Sequence, residues 1–138
     1  MMHEEIVTYE VAKLAKEKGF NWMPSMYFHS GVERDLREVG VNGANPNKIP
    51  HSPHISCPTQ TQLQRWLREE KGIYIETYID WEDSIEYEMI RYSWRVATIY
   101  RVGNNDIGGY YKNESEVYFD TYELALEDAL KYALEKLV

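Results

Sequence analysis

The chain has 138 residues, enough for one domain around a single core and too few for two. Hydrophobic residues make up 43% and charged residues 28%, and no apolar run approaches the ~20 residues that cross a bilayer, which argues against a disordered chain and a helical membrane protein. Twenty-three acidic against fifteen basic residues leave a formal net charge of -8, which repels a phosphate backbone and disfavours nucleic acid as a partner.

Cys57 is the only cysteine, so no internal disulfide can form. The opening MMHEEIVTYE carries acids where an export signal has basic and then apolar residues. Both features point to a reducing cytoplasm. Aromatic content is 14%, with twelve tyrosines, and tyrosine is enriched where proteins meet partners as well as in strands.

In chain order, Thr8 precedes YEVAKLAKEKG, where Val11, Leu14, Ala15 and Lys18 recur at helical spacing and Gly19 stands at the cap. A first helix is expected over 9–18. Regular pattern then fades: Trp22, Met23, Met26, Tyr27 and Phe28 form an apolar cluster fitting a short strand or a loop plug. Val32, Leu36 and Val39 suggest a short helix between Gly31 and Gly40. VNGANPNKIPHSPHISCP follows, with four prolines that fix φ and remove donors. A long irregular loop is expected at about 29–58, of the kind that is functional or disordered.

Thr59 with Gln62 fits a capping box, and Leu63, Trp66 and Leu67 make the apolar stripe of a second helix over 60–71, closed by Gly72. Ile73, Ile75, Thr77, Ile79 and Trp81 alternate with Tyr74, Glu76, Tyr78 and Asp80, the period of a strand with one apolar face. After a reversal within WEDSIEYEM, a second strand places Ile90, Tyr92, Trp94, Val96, Thr98, Tyr100 and Val102 opposite Arg91, Ser93, Arg95, Ala97 and Arg101. Antiparallel pairing with Asp80 near Arg91 and Glu76 near Arg95 puts both apolar faces on one side, which a one-residue slip would undo. GNNDIGG is a turn, IGGYYK or EVYF gives a third, shorter strand, and YELALEDALKYALEKL is a final helix capped at Thr121 or Asp120, with Glu127 and Lys131 as an i, i+4 pair.

The expected fold is therefore α+β: a small antiparallel three-stranded meander covered on one face by helices, in the order α-loop-α-β-β-β-α, within a single domain spanning 1–138. His51, His54 and Cys57 match no usual zinc spacing, and the thiol has no nameable orienting partner, so neither a metal site nor a nucleophile is expected there. The carboxylate pairs sit in polar turns, and GNNDIGG has no phosphate-loop spacing. No catalytic residue and no cofactor is expected. The candidate binding residues are those of the outer sheet face, Tyr74, Glu76, Tyr78, Asp80, Arg91, Arg95 and Arg101, because tyrosine and arginine on a rigid sheet are frequent interface hot spots.

EVAKLAKEKGF, HISCPTQTQLQRWLREEKGIYI and YFDTYELALEDALKYAL resemble segments of a group of small uncharacterised proteins encoded by phages and prophages of gut Bacteroidetes, in which Ala often stands at the position of Cys57. The resemblance implies a context, a phage product in a bacterial host cytoplasm, and no activity. The function expected is non-enzymatic binding of a host or phage protein, or of a second copy of the chain, with no membrane association. The alternative is a small-molecule or nucleotide binder using Trp22, Tyr27 and Phe28 with the arginines.

Overall fold

The alanines of the last helix set how closely the layers approach. In the computed structural model, α4 (Tyr122–Lys136) is capped by the Thr121 hydroxyl, which accepts from the Leu124 amide at 3.1 Å. Its buried face is Ala125, Leu126, Ala129, Leu130, Ala133 and Leu134. Small side chains every four residues let backbones come near, and each fully buried leucine adds about 2 kcal/mol over an exposed one. The structure describes residues 4–102 and 106–138, and the side chains of all of these except 100–102, 106, 107 and 110.

Three elements pack against α4. One is α1 (Tyr9–Glu17), which buries Val11, Ala12 and Ala15 and whose cap Thr8 accepts from the Val11 amide. Another is α2 (Gln60–Lys71), capped by Thr59 and burying Leu63, Trp66 and Leu67. Gly72 ends α2 in the left-handed region, at φ 67°, and lets the chain turn directly into a strand. The third is the larger sheet.

That sheet is a three-stranded antiparallel meander, which we number with the earlier strands counted first: β4 (Ile73–Ile79), β5 (Tyr92–Val102) and β6 (Asp106–Glu114), in the order β4-β5-β6. Strand β6 is longer than β4 rather than shorter, and it takes in the DIGG stretch expected as turn. Its inner face carries Ile73, Ile75, Trp94 and Val96 onto the helices. The Trp94 indole N–H donates to Asp128 of α4 at 2.9 Å, so the largest inward side chain is satisfied rather than merely buried. Glu127 joins three helices instead of pairing with Lys131: its carboxylate accepts from the Thr8 amide at 2.6 Å and the Gln60 amide nitrogen at 3.0 Å. Lys131 reaches Glu10 of α1 at 3.0 Å.

The segment expected as irregular loop supplies two strands of a second antiparallel sheet, and the third is the short strand offered for the Met26–Phe28 cluster. Strands β1 (Met26–Phe28), β2 (Leu36–Glu38) and β3 (Ile55–Cys57) lie in the order β2-β1-β3. The helix suggested around Leu36 is strand β2. Three-residue strands are too short to show a period, and what holds them is polar. The Lys16 ammonium donates to the carbonyls of Ser52 and His54, both at 2.7 Å, and burial lowers its pKa. The Asn47 side chain donates to the Phe20 carbonyl and accepts from the Ser56 amide, and Tyr9 donates to the Gly31 carbonyl. The fold is thus α+β with two sheets, and the single-sheet order is corrected accordingly. A further helix, α3 (Trp81–Glu86), occupies the reversal between β4 and β5. Among the described residues, no helix is long and apolar enough to cross a membrane.

Candidate functional site

On the outer face of the larger sheet, the register pairs Glu76 with Arg95, Tyr78 with Ser93 and Tyr74 with Ala97. Arg95 donates twice to the Glu76 carboxylate, from Nε at 2.8 Å and from Nη2 at 3.0 Å, a bidentate pair between partly exposed side chains. Its guanidinium also lies over two rings, Tyr78 at 5.0 Å and Tyr111 at 4.6 Å from the centroids. The Tyr111 hydroxyl donates to Glu76 at 3.3 Å and closes the cluster. The hydrogen bonds from Arg95 hold the Glu76 carboxyl below its ordinary pKa, although some burial works against them, and Glu76 in turn raises that of Arg95.

Tyr111 was outside the expected set, and it comes from β6. A bulge between Val96 and Ala97 shifts the register there, so that Tyr111 stands opposite Ala97 and Glu114 opposite Arg95. Arg95, Tyr111, Asn113 and Glu114 border a shallow hollow of about 320 Å³. Tyr74 and Ile99 are exposed on the same face. Tyr118 was also outside the expected set. Its phenol pKa is raised, first by the Asp80 carboxylate and then by partial desolvation, with Asp83, Tyr78 and Glu114 adding to it.

The expected site therefore divides. Tyr74, Glu76, Tyr78 and Arg95 share the face. Asp80 lies next to Arg91 in the backbone, its amide donating to the Arg91 carbonyl at 2.9 Å, but its carboxylate caps α3 by accepting from the Asp83 amide at 3.0 Å. Arg91 lies over the Tyr87 ring at 5.0 Å and 3.8 Å from Asp83, an ion pair too long for a hydrogen bond. Both residues belong to the mounting of α3 rather than to the face. The side chain of Arg101 lies outside the described ones. Among the described side chains, Arg95 is paired with Glu76 and Arg91 lies beside Asp83, while Glu114 borders the hollow with Tyr111.

The loop residues do not converge on chemistry. Cys57 is 1% exposed, donates weakly to the Val7 carbonyl at 3.5 Å, and has its thiol pKa pushed up to about 12, mainly by burial and also by the Glu127 charge. His51 sits at a turn with φ 57°. The His54 Nδ1 accepts from the Ser30 amide at 2.8 Å, which leaves the proton of the neutral ring on Nε2, the wrong tautomer for a metal ligand at that nitrogen. Among the described residues, no three His, Cys, Asp or Glu side chains gather as a metal site. Trp22, Tyr27 and Phe28 face three surroundings. Trp22 lies beside Arg65 on a cavity of about 330 Å³, Tyr27 stands edge-on to His54, and Phe28 is buried against Tyr9.

Compared with known proteins, the chain matches no protein-family model, no curated protein and no solved structure.

Proposed function

We propose that the protein is a non-enzymatic binding protein, a phage accessory protein of the bacterial host cytoplasm, that takes a host or phage protein on the outer face of its larger sheet. One observation carries the reading: the Tyr78–Arg95–Tyr111 stack tied to Glu76. It fixes two large amphipathic rings on rigid strands, so little side-chain entropy is lost when a partner covers them. Arg95 stiffens this platform, because Glu76 holds two of its N–H donors and its guanidinium lies over both rings. The phage context rests on the resemblance of the three segments. The small-molecule reading keeps only Trp22 with Arg65, since the other two aromatics lie elsewhere.

The test is affinity capture from a lysate of phage-infected bacteria, with partners identified by mass spectrometry. Tyr74→Ala with Tyr111→Ala removes exposed rings without touching the core. The double variant should recover about tenfold less of a partner specific to the wild-type protein, at a nearly unchanged melting temperature. Equal recovery of every captured protein by the two forms would sink the reading. A second copy as sole partner would show as dimers in sedimentation and make the face a self-association surface.

A further inference from the structure

Helix α3 is amphipathic in the reverse sense. Its one buried residue is Ser84, while Trp81 and Ile85, one turn apart on the same helix face, are 63% and 75% exposed. The Ser84 hydroxyl does the anchoring that an apolar side chain usually does: it donates to the Asp80 carbonyl at 2.6 Å and accepts from the Arg91 amide at 2.8 Å. Tyr87, Met89 and Ile90 continue the exposed apolar surface. Between them stand Glu82, Asp83, Glu86 and Glu88, and the segment 81–90 holds no basic residue.

The end of the helix adds a strained position. The helix ends in a Schellman turn, with the Met89 amide donating to the Ser84 carbonyl at 3.1 Å and the Glu88 amide to the Ile85 carbonyl at 3.3 Å. That turn puts Glu88 in the left-handed region at φ 54°, where Gly is the low-energy choice and a glutamate costs about 1 kcal/mol.

Charge decides what can cover such a surface. An anionic bilayer and nucleic acid are repelled by four acids set against one base, Arg91, which already lies 3.8 Å from Asp83. A second copy meeting the patch across a two-fold axis would set the same acids against each other. We propose that the segment 81–90 docks a basic amphipathic segment of a partner protein, whose apolar side chains cover Trp81 and Ile85 while its lysines or arginines face Glu82, Glu86 and Glu88. This goes beyond the binding reading by naming a second surface and the chemistry of what it binds. It uses different residues, so the two stand or fall separately.

The probe is a display library of random 16-residue peptides, selected on the immobilised full chain and counter-selected on a Trp81→Ala, Ile85→Ala double variant. Both substituted positions are exposed, so circular dichroism and melting temperature should stay close to wild type. Enriched peptides should combine Lys or Arg with Leu, Ile, Met or Phe. They should lose about tenfold or more in affinity on the double variant and on Glu82→Lys with Glu86→Lys, yet keep most of it on Tyr111→Ala. The proposal is overturned if nothing is enriched, if the selected peptides carry no basic excess, or if they bind the double variant equally well. Sedimentation showing wild-type dimers that the double variant lacks would assign the patch to a second copy instead. Binding of phosphatidylglycerol vesicles lost in the same variant would assign it to a membrane.

Discussion

Arg95 makes two hydrogen bonds to one carboxylate and lies over two tyrosine rings, so it ties Glu76, Tyr78 and Tyr111 into one cluster. The Glu76 end of this arrangement has a measurable pH signature. Its folded pKa is depressed, so the pair's stabilisation is present above the unfolded value of about 4.5 and is lost as pH falls through the lower folded value. Because both side chains are partly exposed, solvent screening limits the pair to about 0.5 kcal/mol. Glu76→Gln should therefore be less stable than wild type by about that much at pH 7, and the gap in urea unfolding should narrow as pH falls below the unfolded value. A gap that does not narrow in acid would mean the pair is not its source. Glu76 facing Arg95 was legible, because acidic and basic outer positions matched in only one register. Tyr111 was not: Tyr110 and Tyr111 are consecutive and give no alternation, so only the pairing of β6 shows which one shares the face.

At the scale of elements, signals that combine a cap, a stripe and a stop were the legible ones. Thr59, the Leu63, Trp66 and Leu67 stripe and Gly72 bound α2 at the residues expected. The small sheet was hidden because Met26–Phe28 and its partners are too short for a period and are fastened by Lys16, Asn47 and Tyr9 from distant parts of the chain. Helix α3 was hidden for another reason: its pattern points outward, so read as a core element it makes no sense. Its strained end gives a clean prediction. Glu88→Gly should raise stability by about 1 kcal/mol in chemical denaturation, since the backbone already has the conformation glycine prefers. No gain would mean that the left-handed turn is not strained.

For the molecule as a whole, the meander packed on helices was legible from periodicity, whereas the partition into two sheets was not, because prolines and polar fastenings mask the second. The outer faces are acidic in keeping with the net charge of -8, but the composition alone did not show that the exposed tyrosines and the α3 apolar residues sit among those acids. Cys57 lies where the N-terminal segment, α1 and the small sheet meet, its thiol against the Val7 carbonyl on one side and its strand paired with Met26 on the other. A group so placed is useless as a reagent and useful as a stopwatch. Thiol-reactive dye can reach it only when those parts separate, so the labelling rate at pH 8, set against that of the urea-unfolded chain, reports how often the protein opens there. The folded protein should react over about a thousandfold more slowly, whereas a rate within tenfold of the unfolded chain would place this junction among the least stable parts of the molecule.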